Sequence, residues 1–331
     1  MPMAMYQKLG VLTLALAAFG AVRMPLEQSL TDELTAVKLL SKPIGIGTRE
    51  HIGQTSSVVA LGGLRTLVAT FLNLRAFTFF TEQKWDQVAE TYDTIVDLAP
   101  NTRYYWESGS HHSAYNAASY YINDSKLPAL RRREAWKQSI LRGKAFLERG
   151  IRNNPLDWSL SATLGFLLSD SNKIAAFGSS QDAFLAAAAA YRASWETGKA
   201  PSYIKRSEFY CLARLKGREA EALKMARELY QDRSNQLPTV TMLFFVLEAW
   251  ENPQRDHLKR ALELYPDQET AYDAFCTHWL RTREGFPIYG VANVLEQLEK
   301  SLKIPPDKSI FKEKLRGRDI EDWFDTAKDK R

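Results

Sequence analysis

The chain has only two cysteines, Cys211 and Cys276, 65 positions apart. Both fall in stretches that read as helix, so they are expected as free, buried thiols rather than as part of a disulfide framework. There is no Walker-type phosphate loop, no HExxH, no CxxC and no nucleophile elbow, so the signatures of nucleotide hydrolysis, zinc proteolysis, thiol redox chemistry and acyl transfer are missing. Of five histidines, only His111 and His112 are adjacent. On a helix they would point about 100° apart and chelate poorly. Neither a metal nor a cofactor is expected, and no nucleic-acid motif is present. Period-two alternation of polar and apolar residues is also scarce, which disfavours sheet and leaves an all-α reading.

What the sequence does contain is a spacing that recurs around three prolines. Val88, Tyr92 and Ile95 stand twelve, eight and five residues before Pro100, and Gly143, Leu147 and Gly150 stand at the same offsets before Pro155. Leu258 and Ala261 repeat the last two offsets before Pro266, with Gln254 as the miss. Such offsets form one stripe of a helix that stops at a proline. Between Pro155 and Pro266 the prolines fail, but the stripe continues as Ala186, Ala190 and Ala193, then as Ala222, Ala226 and Leu229.

This stripe resembles the second helix of a tetratricopeptide repeat. Residues after the prolines match the first helix of the next unit: Trp106 and Tyr272 six positions on, and Leu164 with Gly165 nine and ten on. Gly109 and Ser110 depart from that Leu-Gly pair, and Ser161 departs from the aromatic. The family repeats about every 34 residues, whereas the prolines here are 55 and 111 apart, so the first unit is expected to have elongated helices or an insertion. The resemblance implies a right-handed α-solenoid of five to six degenerate hairpins over about residues 61–303. The run ALGGLRTLVATFLNLRAF also resembles the start of membrane-anchored bacterial proteins of the same repeat class.

Around this body the sequence divides into an N-terminal segment, 1–24, a linker and cover, 25–60, and a charged C-terminal tail, 304–331. Residues 9–22, LGVLTLALAAFGAV, lie between Lys8 and Arg23. They have the length of a signal-peptide core and fall short of the roughly 20 residues of a spanning helix. Snorkelling Lys8 and Arg23 favour an uncleaved single-pass anchor in a cytoplasmic membrane with the body in the periplasm. Cleavage after Ala18-x-Gly20 and a buried first helix are the competing readings. The second apolar run, residues 61–80, contains Arg65, Asn73 and Arg75, each arginine costing roughly 2.5–3.5 kcal/mol at mid-membrane, so it reads as a packed first helix covered by 25–60. In the tail, Ile320, Trp323 and Phe324 lie at helical spacing, as a cap or a docking peptide would.

Net charge is +5, but residues 125–152 hold nine Lys or Arg against two Glu, a local balance of +7 that leaves about −2 elsewhere. The basic patch comprises Arg131, Arg132, Arg133, Lys137, Arg142, Lys144 and Arg149. It reads as a solvated helix face, or as a site for anionic lipid or an acidic partner. The aromatic segment YYWESGSHHSAYNAASYY is the other concentration of chemistry. In the repeat family, positions two, five, nine and twelve of first helices line the concave face, and the resemblance places Asn73, Phe77, Tyr104, Glu107, His111, Phe166, Asp273 and Thr277 there. The expected function is a non-catalytic scaffold or assembly subunit that binds protein partners in a bacterial envelope complex. The alternatives are a helical module for lipid or a small ligand, and an envelope-polymer hydrolase or lyase using Glu107 and His111, which sit one turn apart on a helix.

Overall fold

A computed structural model describes residues 65–280 and 285–312, together with Pro25 and Ser29. All regular structure among these residues is helical. In chain order the helices are α1 (Arg65–Thr81), α2 (Trp85–Leu98), α3 (Arg103–His111), α4 (Ala118–Asn123), α5 (Ala129–Asn153), α6 (Trp158–Ser169), α7 (Ser180–Trp195), α8 (Tyr203–Leu212), α9 (Glu219–Tyr230), α10 (Pro238–Glu251), α11 (His257–Leu264), α12 (Gln268–Leu280) and α13 (Val291–Ser301). A π-helical turn, His112–Ala117, joins α3 to α4 without a break, so the two form one long arm. Counted this way, the described arms make six consecutive pairs. Each arm packs extensively only on the arms one or two places before and after it.

Local chemistry explains the pairs. On α2, the apolar side chains at positions 85, 88, 89, 92, 95 and 96 follow the helical period and are all buried. The helix ends at Leu98, just before Pro100, which has no amide to continue it. Pro155 and Pro266 stand at equivalent turns, after α5 and α11. The first two turns touch, because the carbonyl of Pro100 accepts hydrogen bonds from Trp106 Nε1 at 2.7 Å and from Asn154 Nδ2 at 2.9 Å. Helix starts are capped by short acceptors: Asp157 on Ser159 N–H, Ser179 on Asp182 N–H, and Asp256 on Lys259 N–H.

Glycines set the closest approaches between arms. A Cβ on Gly143 would lie 2.7 Å from Ala114 Cβ and 2.9 Å from the carbonyl of Ser110, so α5 fits flat against the π turn only without a side chain there. Gly150 lies under the Trp106 ring in the same way, and Gly165 under Tyr191.

The long spacing between Pro100 and Pro155 comes from elongated helices, as expected. Arg142 of α5 stands against Asp86, the second residue of α2, at 3.8 Å. Residues 129–141 therefore run on past the start of α2, about 20 Å at 1.5 Å per residue. No residue from 119 to 139 is buried; Tyr120, Tyr121 and Trp136 pack half-buried against the core, and the hairpin of α4 and α5 projects beyond them.

One expected stripe is rotated. Ala186 and Ala193 are exposed, while Ala183, Ala187, Ala190, Tyr191 and Ser194 face inward. A run of five alanines gives no face a preference, and the Tyr191 ring against Gly165 decides the rotation. The other stripe, Ala222, Ala226 and Leu229, is buried as expected.

The core divides into two clusters that meet in α10. Val240, Leu243, Phe244 and Leu247 join the cluster of the earlier pairs, and Met242, Phe245 and Val246 join that of α11–α13. The first described residues of the tail close this second cluster: Ile310 is buried in it and Phe311 meets Trp279 edge-on. Ile320, Trp323 and Phe324 lie outside the described residues. So do segment 1–24 and the linker 25–60, apart from Pro25 and Ser29. Among the described residues no helix is long and apolar enough to cross a membrane. On α1 only Ala69 and Ala76 are buried, and Leu67, Phe71, Leu74 and Phe77 face outward along one side.

Candidate functional site

The first helices of the second and third pairs, α3 and α6, enclose an open cavity of about 500 Å³. Four of the residues assigned by resemblance to a concave face, Tyr104, Glu107, His111 and Phe166, line it. Tyr104 and Phe166 are 58% and 60% exposed, unusually open for rings of that size, and form its apolar rim. Glu107 is the one carboxylate in the lining. Its Oε1 accepts from Ser159 Oγ at 2.7 Å and, more weakly, from Thr163 Oγ1 at 3.5 Å, and its Oε2 lies 3.7 Å from Arg103 Nε. These contacts fix the carboxylate between α3 and α6.

Beside it, His111 stacks on Tyr115 with ring centroids 5.0 Å apart, and His112 contacts Asn116 through Nδ1 at 3.0 Å. Burial lowers the pKa of both imidazoles below the ordinary 6.5, and the neighbouring His111 adds to the effect at His112. Both rings are thus neutral near pH 7. The unfolded chain binds these protons first, so the contribution of the rings to stability is complete above pH 6.5 and is lost as pH falls below it. A His111→Gln/His112→Gln double variant is expected to flatten that part of a melting-temperature-against-pH curve. An unchanged slope would show that other groups carry it.

The cavity also takes in Ser108, Ser110, His112, Tyr115, Leu147, Thr163 and Leu167, which the resemblance did not assign. For Tyr115 the cause is the π turn. An i→i+5 turn inserts an extra residue into the arm and rotates the side chains beyond the insertion, carrying Tyr115 toward the groove. Nothing in the spacing announces such a turn. Burial pushes the Tyr115 phenol far above its ordinary range, its oxygen is shielded without a hydrogen-bond partner, and Lys173 Nζ lies 5.0 Å from its ring centroid.

The remaining assigned residues lie elsewhere. Asp273 and Thr277 line a second cavity, of about 310 Å³, between α10 and α12, bounded also by Met242, Tyr265, His278 and Phe286. Asn73 accepts a hydrogen bond from the buried Tyr92 hydroxyl at 2.9 Å, a link between α1 and α2. Phe77 lies on the exposed side of α1 and stacks on Phe80.

The structure divides the basic patch in two. Arg142 and Arg149 meet the acidic row of α2, Asp86, Asp93 and Asp97, and Lys144 meets Glu148 at 2.6 Å. Arg131, Arg132, Arg133 and Lys137 lie on the projecting part of α5 and make no ion pair with the described residues. Sequence reasoning could not make this division, because the neutralising carboxylates lie some 50 residues away in the chain. The two cysteines form no disulfide, as expected; Cys276 is half-buried rather than buried, and Cys211 is buried with its pKa pushed up to about 12, which keeps it protonated and unreactive. No group of three or more metal-ligating side chains occurs among the described residues.

Comparison with protein-family models, with curated proteins and with solved structures finds no match.

Proposed function

We propose that this chain is a non-catalytic interaction scaffold. In this reading it is a tetratricopeptide-like α-solenoid whose first helices line a groove for a protein partner, held at a bacterial cytoplasmic membrane by residues 1–24 with its body in the periplasm. Serial packing of six helix pairs supports the repeat part of the reading. The observation that carries the binding part is the convergence of Tyr104, Glu107, His111 and Phe166 on one open cavity.

That cavity suits an anchor side chain of particular chemistry. One fixed carboxylate among rings favours a long side chain with a cationic end, arginine or lysine, whose methylenes lie on Tyr104 and Phe166 while its head meets Glu107. Neutral imidazoles add no repulsion. Partners that dock by one or two such anchors are recognised along a groove rather than by a chain terminus. A hydrolase or lyase reading finds less support, because Glu107 is engaged by Ser159, Thr163 and Arg103 while His111 is stacked on Tyr115.

A photo-crosslinking residue at position 166, compared in intact cells with one at exposed Lys224 on α9, tests the reading. The expected result is a discrete protein adduct from position 166 alone that weakens at least tenfold on Glu107→Lys, since reversing a charge at a desolvated contact costs more than about 1.4 kcal/mol. Adducts from both positions alike, or none from position 166, would remove the groove as the binding surface.

A further inference from the structure

The projecting hairpin of α4 and α5 carries a surface that groove binding does not use. Leu130 is 80% exposed at its tip, and its stretch of chain, residues 124–137, holds Lys126, Arg131, Arg132, Arg133 and Lys137 against Asp124 and Glu134. We propose that this tip docks on an anionic lipid bilayer, with Leu130 entering the headgroup layer and the arginines meeting lipid phosphates.

Three observations carry the proposal. First, the same helix pairs three of its four other basic residues: Arg142 and Arg149 are matched by α2, and Lys144 by Glu148, while Arg152 in the last turn makes no ion pair with the described residues. All the basic residues at the tip are unmatched among the described residues, whereas three of the four nearer the body are matched. Second, the arginines begin in the first turn of α5, where the amide dipoles already present positive potential and which holds no acidic side chain. A cation placed there lowers helix stability, a placement that makes sense when an external anion supplies the compensation. Third, an exposed leucine flanked by arginines matches the two-part chemistry of a membrane surface, apolar beneath and anionic above.

An acidic protein would answer the charges as well as a bilayer would. The bilayer is favoured by the apolar segment at residues 9–22. If that segment anchors the chain, it holds the tip permanently near lipid, and a weak contact then suffices through high effective concentration. The proposal does not depend on what occupies the groove, and neither Leu130 nor these arginines line either cavity.

Flotation of the full chain with phosphatidylcholine vesicles, with and without phosphatidylglycerol, tests it. Because residues 9–22 could themselves enter neutral vesicles, the informative quantity is the gain in binding on adding the anionic lipid. That gain is expected to fall roughly ten- to thirty-fold in Arg131→Gln/Arg133→Gln, at the usual contribution of a basic residue near an anionic surface. It should persist in Lys144→Gln, which removes one charge from the same helix at a paired position. Leu130→Ser should weaken binding without altering its salt dependence. Leu130, Arg131 and Arg133 are exposed and Lys144 is half-buried at the surface, so circular dichroism should show intact helices in every variant. No gain for the wild type, or an equal gain in the double arginine variant, would overturn the proposal, the second outcome leaving an acidic protein as the occupant of the tip.

Discussion

Replacing Trp106 with alanine is expected to lower stability by about 4 kcal/mol, in the range for emptying a fully buried tryptophan site. The ring is 1% exposed, packs on Phe146 with centroids 5.0 Å apart, and lies flat on Gly150. Arg149 covers it from outside, 5.1 Å from the ring. Its Nε1 donates to the Pro100 carbonyl, so the substitution removes a hydrogen bond as well as volume. Chemical denaturation followed by helical ellipticity measures the loss. Hydrogen exchange locates it: α2, α3 and α5 should lose protection first, and α12 and α13, in the second cluster, should retain theirs, because coupling in a serial stack is carried by neighbouring contacts. Uniform loss along the chain would mean that the two clusters unfold as one unit.

The Trp106 site also shows why part of the fold was legible. Three spacings in the sequence, a proline, an aromatic six residues later, and a glycine five residues before the next proline, become one contact: Pro100 carbonyl, Trp106 ring, Gly150 face. Each residue type is demanded by geometry, and so each leaves a mark at a fixed offset. Gly143 is marked for the same reason, since a side chain would meet backbone of the π turn that has nowhere to move.

Illegible features lacked such demands. Five successive alanines in α7 fit either face, so the inward stripe was set by Tyr191 and could not be counted from Ala186. The π turn inserts a residue without a compositional signature, which is why Tyr104, Glu107, His111 and Phe166 were assigned to a common face while Tyr115 was not. The pairing of Arg142 and Arg149 depends on carboxylates of α2 that only the folded arrangement brings near.

Glu208 is the second position where one substitution should have a large effect, and nothing in the repeat spacing singles it out. Its side chain on α8 is fully buried, yet it is met on both oxygens: Arg192 Nε donates to Oε1 at 2.6 Å, and Trp195 Nε1 donates to Oε2. Arg192 in turn reaches Glu221 of α9 at 2.7 Å, so one guanidinium links α7, α8 and α9. Glu208→Ala leaves the indole N–H without an acceptor and opens a void, which together should cost about 3 kcal/mol. The loss stays at the low end of the range for breaking a buried pair because Arg192 is 43% exposed and keeps Glu221, so its charge is not stranded. Glu208→Gln separates the two contributions. It preserves volume and still accepts from the indole, but it removes the charge opposite Arg192 and sets an amide N–H in place of the acceptor there, so it should cost about half as much. Denaturation midpoints of the two variants decide the matter: equal losses would show that the ion pair dominates, whereas a near-neutral glutamine variant would show that packing and the indole hydrogen bond hold these three helices together.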